Sequence, residues 1–153
     1  MTKQEALTIY QTLNGMSAFT GVKFTYAIAK NLSLLKSDIE ALQKSLEPTE
    51  EYQKFDKERM ELVKKYAQKD EKGNPVVQGT QYVLEDEKAF DKGFEALKKK
   101  NSELVKERSK QLIEYQELLK TESTVVLHKV NLNDCPKELN AAQMHGILPI
   151  IEE

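Results

Sequence analysis

The sequence contains a single cysteine, Cys135, among 153 residues, so no disulfide can form within the chain. A reducing, intracellular compartment is the simplest setting for such a protein. The first residues, Met-Thr-Lys-Gln-Glu-Ala, lack the basic and then apolar run of a secretory signal peptide. No window approaches the roughly 20 consecutive apolar residues that a membrane-spanning helix needs. We therefore predict a cytoplasmic protein, in its own cell or in a host cell, with no membrane partner.

An excess of charge of one sign is also absent. Lysine and arginine number 23 against 25 for aspartate and glutamate, which gives a formal net charge of −2. Such a chain has no broad basic field to neutralise phosphates, so nucleic acid is not a favoured partner. The run of three lysines at 98–100 lies between Glu95 and Glu103. This arrangement is typical of a solvated helix face.

Motifs that hold phosphates or concentrate acidic groups for catalysis are missing. Gly73, Gly79 and Gly93 match neither the Walker pattern nor the dinucleotide-binding pattern. The acidic clusters at residues 50–51 and 85–87 each stand at the start of a predicted helix, where acids stabilise the helix dipole. Neither pattern indicates a catalytic site.

The cysteine and the two histidines do not form a recognisable metal or nucleophile site. Cys135 is far from the short spacings to His128 and His145 that zinc sites use, and no second cysteine completes such a site. His128 alternates with Val126 and Val130, which predicts that it lies on the packed face of a strand. We predict no catalytic residue, no metal ligand and no cofactor, and hence a protein that is not an enzyme.

A long helical seam is what the sequence does contain. Between Tyr26 and about Lys69, apolar residues recur at alternating four- and three-residue steps, which places them on one helix face. These residues are Ile28, Leu32, Leu35, Ile39, Leu42 and Leu46. The stretch from Asp86 to about Lys120 has matching spacing, with Phe90, Phe94, Leu97, Val105, Leu112, Tyr115 and Leu119. We predict a mainly α fold built on a long antiparallel two-helix hairpin, a coiled-coil-like arm.

The hairpin defines the expected domain organisation. We predict one domain over residues 1–153, with a base made of residues 1–25 and 121–153. The helical hairpin covers residues 26–120, and its tip covers residues 70–85. Small terminal helices and short β segments complete the base, and a further irregular β hairpin forms the tip.

Local signals predict the smaller elements. Thr2–Leu13 is an amphipathic helix with a capping box, and residues 21–26 and 124–132 have the alternation of short strands. A last helix opens at residues 133–136, where proline is tolerated in the first turn. Pro48 interrupts the first long helix, as a kink or as a fresh start.

Antiparallel pairing of the long helices brings residues whose numbers sum to about 154 face to face. Gln53 then faces Asn101, and Arg108 lies near Leu46. A polar layer of this kind can set the register of a helix pair or select a partner. A solvated gap beside the helix break is the simpler alternative.

The predicted seam is wider than two helices need. Leu34, Met60, Val63 and Leu104 lie beside it. Either the terminal elements cover these residues or another chain does. Homo-oligomerisation is the economical outcome, and we predict it.

Four stretches together resemble a family: residues 64–76, 82–86, 24–32 and 139–151. They are similar to small, uncharacterised proteins of tailed phages that infect Gram-positive bacteria. The shared motifs consist of turn and seam residues. The resemblance implies a phage origin and action inside an infected cell, and it supplies no catalytic residues.

Two functional hypotheses follow. The first is a non-enzymatic interaction protein, an oligomeric helical hairpin that binds a host or phage protein and either blocks it, as an inhibitor of host defence does, or assembles it. The second is a small-molecule protein that sequesters a nucleotide-like ligand in a pocket between subunits. Lys23, Tyr26 and Lys129 near the base are the expected ligand-binding residues.

Overall fold

The computed structural model describes residues 1–152 and is mainly helical. The helices are α1 (Lys3–Asn14), α2 (Val22–Leu46), α3 (Glu50–Tyr66), α4 (Glu87–Lys100), α5 (Ser102–Lys120) and α6 (Ala141–Ile147). The strands are β1 (Val77–Gln78), β2 (Gln81–Tyr82), β3 (Val130–Asn131) and β4 (Ile151–Glu152), and 3-10 turns cover Leu132–Asp134 and Leu148–Ile150. Strands β1 and β2 pair antiparallel, and β3 pairs with β4 in parallel. None of the helices in the described chain is both long and apolar enough to cross a membrane.

Two compact units make up the chain. The terminal unit contains residues 1–46 together with the residues from Ile113 onward, and the middle unit contains Glu47–Leu112. The boundaries therefore differ from the predicted base and arm, because all of α2 and the end of α5 belong to the terminal unit.

Helix α1 forms as its sequence predicts. The Thr2 hydroxyl accepts a hydrogen bond from the Glu5 main-chain N–H at 3.2 Å, and the Glu5 carboxylate accepts one from the Thr2 N–H at 2.7 Å. This capping box satisfies main-chain donors that the first helical turn leaves open. Ala6, Ile9 and Leu13, spaced by three and four residues, are buried in the core of the terminal unit.

The helical seam of α2 is buried in the same core. Ile28, Leu35, Ile39 and Leu42 join buried residues of α1 and α6 and the end of α5. The predicted strand at residues 21–26 is wrong, because α2 already begins at Val22. Phe24 belongs to both the strand pattern and the helix pattern, and its helical neighbours Ala27 and Ile28 are the residues that become buried with it.

The predicted strand at residues 124–132 is largely absent. Only Val130–Asn131 forms a strand, and it pairs with Ile151–Glu152 at the C-terminal end of the described chain. The last helix begins later than predicted, at Ala141, because Asn140 and Gln143 form a capping box there. Ile147 and Ile150 are fully buried, which anchors this end of the chain in the terminal unit.

The break at Pro48 is confirmed in the form of two separate helices. α2 ends at Leu46, and α3 begins at Glu50 behind the Thr49 hydroxyl, which accepts from the Tyr52 N–H at 3.2 Å. Within the middle unit α3 packs against α4, where a β carbon on Gly93 would meet the Leu62 side chain at 3.2 Å.

The second predicted long helix is divided in two. Asn101 separates α4 from α5, and its main-chain angles, φ −116° and ψ 32°, are not helical. Its side-chain amide donates a hydrogen bond to the Leu97 carbonyl at 2.9 Å. This bond satisfies a main-chain acceptor in the last turn of α4. Asp86 caps the start of α4 as predicted, with its carboxylate 2.9 Å from the Ala89 N–H.

Candidate functional site

One groove in the terminal unit brings together all three residues that the sequence suggested for ligand binding. Lys23, Tyr26 and Lys129 line it with His128, Asp134 and Glu152, and its volume is about 500 Å³. We call it the Tyr26 groove. All of these residues lie in the terminal unit.

Helix α2 supplies one wall of the Tyr26 groove. Its buried residues face the core, and Val22 and Tyr26, one helical turn apart, remain 89% and 57% exposed. Apolar and aromatic surface on the open side of a helix is available for contact with a ligand. The helical spacing of α2 thus gives it one face for the core and another for the groove.

The opposite wall is held in place by a buried side chain. Asn31 is fully buried, and its amide donates to the His128 carbonyl at 2.9 Å and accepts from the His128 N–H at 2.8 Å. The His128 ring then meets the Tyr26 ring edge to face, with 5.4 Å between the centroids. The two rings are therefore adjacent and nearly perpendicular, with 88° between their planes.

The prediction that His128 lies on a packed face is wrong. His128 is exposed, and so is Val126, whereas Val125 and Leu127 pack against the core. Residues 125–128 therefore alternate in the opposite phase to the prediction, whereas Val130 is buried as predicted. The two hydrogen bonds from Asn31 fix that phase at His128.

Charged groups of both signs line the groove. The Lys23 ammonium lies 3.1 Å from both carboxylate oxygens of Asp134, and the Lys23 side chain is 75% exposed. An ion pair that is so exposed to solvent contributes only about 0–1 kcal/mol to the stability of the fold. The Lys129 ammonium donates to the carbonyl of Pro149 at 2.8 Å. Within residues 1–152, neither Lys129 nor Glu152 has an ion-pair partner.

A second feature is the open face of α4 in the middle unit, formed by Phe90, Phe94 and Leu97. These residues share one side of the helix, and the two phenyl rings stack with 5.7 Å between their centroids. No residue of α4 is buried. Within residues 47–112, only Phe55 and Ala67 are buried. The middle unit therefore has a thin core and much half-buried apolar surface.

Of the polar residues predicted to set the helix register, Gln53 and Asn101 form hydrogen bonds with nearby main-chain carbonyls, and Arg108 also contacts α3. The Gln53 amide donates to the Pro48 carbonyl at 3.2 Å, and Asn101 bonds to Leu97. The Arg108 guanidinium donates to the Gln111 amide oxygen at 2.6 Å and lies 5.4 Å from the centre of the Tyr52 ring.

Two of the apolar residues predicted beside the seam, Leu34 and Met60, are only partly exposed. Leu34 is 37% exposed on α2, and Met60 is half-buried on α3. Met60 lines a shallow groove with Tyr82 and Leu84 beside the β hairpin.

Sequence reasoning missed Asn31, Asp134 and Glu152. Asn31 carried a usable signal, since it is a polar residue in the buried series that contains Phe24, Ala27 and Leu35. A buried polar side chain needs a hydrogen-bonding partner outside its own helix face. Asp134 and Glu152 carried no such signal.

Cys135 does not have the surroundings of a reactive thiol. Burial raises the pKa of the Cys135 thiol, and the carboxylate of Asp134 raises this pKa further. Both effects disfavour the thiolate, which is the nucleophilic form. In the part of the chain that the structure describes, no three acidic, histidine or cysteine side chains are grouped so that they could hold a metal ion.

Comparison with protein-family models, with curated proteins and with solved structures finds no match for this chain.

Proposed function

We propose that the protein is a non-enzymatic interaction protein whose middle unit joins copies of the chain and presents a helical surface to a host or phage protein. Binding either blocks the activity of that partner or assembles it into a complex, inside an infected cell. The phage origin in this proposal comes from the sequence resemblance. The arm predicted over residues 26–120 is reduced in this proposal to the α3–α4 pair, to which a second copy of the chain adds further helices.

The observation that carries this proposal is the open face of α4, whose apolar residues are only half-buried. Phe90, Phe94 and Leu97 repeat at helical spacing, and the chain covers each of them only in part. Burying one such side chain completely contributes roughly 1.5–3 kcal/mol. Because the three residues are already half-buried, completing their burial contributes only part of this amount for each residue, and that part favours association. A second copy of the chain is the economical occupant, because symmetric dimers form from a single self-complementary patch.

Charge around the face fits self-association better than binding to a strongly charged partner. Lys98 lies 4.8 Å from the centre of the Phe94 ring, and Lys100 lies 3.9 Å from the carboxylate of Glu58 on α3. Basic and acidic groups thus both occur at the rim of the face. In an antiparallel pair of copies, such a rim can place opposite charges together.

The proposal is tested by placing a charge in the open face of α4. Phe94→Glu introduces a carboxylate that association would bury without a partner, so the solution mass is expected to fall to 17.5 kDa. Val126→Glu is the matched control, because Val126 is 84% exposed in the terminal unit. This control is expected to keep the wild-type mass. Circular dichroism on both variants checks that the helices persist. Equal masses for Phe94→Glu and Val126→Glu would contradict the proposal.

A second candidate function is small-molecule binding in the Tyr26 groove. The observation in its favour is that Lys23, Tyr26 and Lys129 line one groove. Its volume lies in the range of ligand pockets, about 300–1,000 Å³. A nucleotide, the ligand first expected for these residues, is less well supported, because Asp134 and Glu152 would repel phosphates.

A further inference from the structure

We infer that the Tyr26 groove binds a small aromatic zwitterion, a molecule with one aromatic ring, one ammonium group and one carboxylate. The inference rests on the second candidate function and names its ligand class. It does not depend on the association of copies through α4, because the groove lies in the terminal unit.

The aromatic part of the ligand is inferred from the two rings. Tyr26 is 57% exposed although it stands on a helix whose neighbouring residues Phe24 and Ala27 are buried. The edge-to-face contact with His128 orders both rings and leaves ring surface open to the groove. A planar ligand can stack against such surface while the exposed Val22 side chain covers its edge.

The charged part of the ligand is inferred from the balance of the lining residues. Lys23 and Asp134 neutralise each other at 3.1 Å. The remaining ammonium of Lys129 contacts a neutral carbonyl, and Glu152 has no cation beside it in the described chain. An anionic ligand would be attracted by Lys129 and repelled by Glu152. A cationic ligand would be attracted by Glu152 and repelled by Lys129. A zwitterion satisfies both.

The groove is already assembled without a ligand. Asn31 is fully buried and fixes both main-chain polar groups of His128, and β3 pairs with β4 on the side of Glu152. Little of the wall must be ordered when a ligand arrives, so the binding energy is not spent on ordering it. This favours a small ligand with few contacts.

A series of indoles separates the charge states while the ring stays constant. Tryptophan is a zwitterion near neutral pH, indole-3-acetate is an anion and tryptamine is a cation. Each compound, and adenosine monophosphate, is titrated into the full-length protein, and the main-chain amide signals of Tyr26, His128 and Lys129 are followed by NMR. We expect tryptophan to bind at least about tenfold more tightly than either charged indole.

Variants test whether the named side chains carry this preference. Tyr26→Ala is expected to weaken tryptophan binding about tenfold or more. Lys129→Met is expected to shift the preference toward tryptamine, and Glu152→Gln toward indole-3-acetate. Lys30→Met and Glu138→Gln, at exposed positions outside the groove, are the matched controls and are expected to bind as the wild type does.

The outcomes separate this inference from the candidate function on which it rests. Binding of adenosine monophosphate or of indole-3-acetate in preference to tryptophan would overturn the zwitterion while small-molecule binding stands. Absence of binding by all four compounds would overturn both. Tryptophan binding that Tyr26→Ala, Lys129→Met and Glu152→Gln leave unchanged would place the ligand elsewhere and also overturn the inference.

Discussion

The side-chain amide of Asn31 forms hydrogen bonds with both the carbonyl and the N–H of His128, at 2.9 Å and 2.8 Å. A strand neighbour would ordinarily satisfy such main-chain groups. Residues 124–129 form no strand in the structure, and one buried amide on α2 takes the place of that neighbour. The helix and the extended segment that form the two walls of the Tyr26 groove are thereby connected.

Replacing Asn31 is expected to destabilise the protein. Asn31→Leu fits an apolar core but leaves the His128 carbonyl and N–H without their partner, at a cost of about 1–3 kcal/mol. Urea unfolding followed by circular dichroism measures this loss. Asn133→Leu is the control at an exposed asparagine and is expected to change the unfolding free energy by less than about 0.5 kcal/mol. Equal unfolding midpoints for the two variants would contradict the role of Asn31.

Gly146 is expected to tolerate no side chain while Thr12 is present. A β carbon on Gly146 would lie 2.6 Å from the Thr12 methyl carbon, which means that α6 and α1 are in close contact there. Gly146→Ala should therefore destabilise the protein by about 1–3 kcal/mol. Thr12→Ala removes the obstructing atoms, so the double variant should lose less than the sum of the two single variants. Additive losses in thermal or urea unfolding would show that the two residues are not in contact.

The two-residue loop of the β1–β2 hairpin depends on Gly79. Its φ is +63°, whereas no residue other than glycine has a positive φ in the described chain. Gly79→Val should thus cost about 1–2 kcal/mol of local stability. Thr80→Val places the same side chain at the next loop position and serves as the control. Hydrogen exchange of the Gln78 and Gln81 amides reports the local effect, and equal exchange in both variants would rule it out.

The turn at Asp70 is expected to loosen in acid. Hydrogen bonds from the main-chain N–H groups of Asn74, the larger effect, and Lys72 lower the pKa of the Asp70 carboxyl. A lowered pKa means that the stabilisation is complete above the ordinary aspartate pKa and is lost as the pH falls through the lowered value. NMR shifts of the Lys72 and Asn74 amides should follow that titration. Asp70→Ala should abolish the titration, and an unchanged acid transition in this variant would contradict the assignment.

Signals confined to a few neighbouring residues predicted much of the fold. The capping box of Thr2 and Glu5, the helix break at Pro48 and the cap at Asp86 each depend on contacts within one or two turns. Such contacts are determined locally, so the residue types alone indicate them. The β hairpin of β1 and β2 was predicted for the same reason, since Gly79 supplies its turn.

The start of α2 could not be predicted in this way. Val22, Phe24 and Tyr26 alternate as in a strand, and Phe24, Ala27 and Ile28 repeat as in a helix. Burial of Phe24 satisfies either pattern. Only the packing of Ala27 and Ile28 in the core of the terminal unit selects the helix, and that packing is not visible in so short a segment.

The Tyr26 groove was predicted in part, and for an incorrect structural reason. Lys23 and Lys129 were expected together near the base, each within a predicted strand. They do line one groove, but a helix and an extended segment position them. Asp134 reaches the groove from a 3-10 turn and Glu152 from a two-residue strand. Elements this short leave no periodic pattern from which their position could be inferred.

The most direct test of the proposed function is the solution mass of the wild-type protein, measured by light scattering at two protein concentrations. The open face of α4 predicts a multiple of the 17.5 kDa chain mass at both concentrations, or a mass that rises with concentration toward such a multiple. A mass of 17.5 kDa at both concentrations would contradict association through α4.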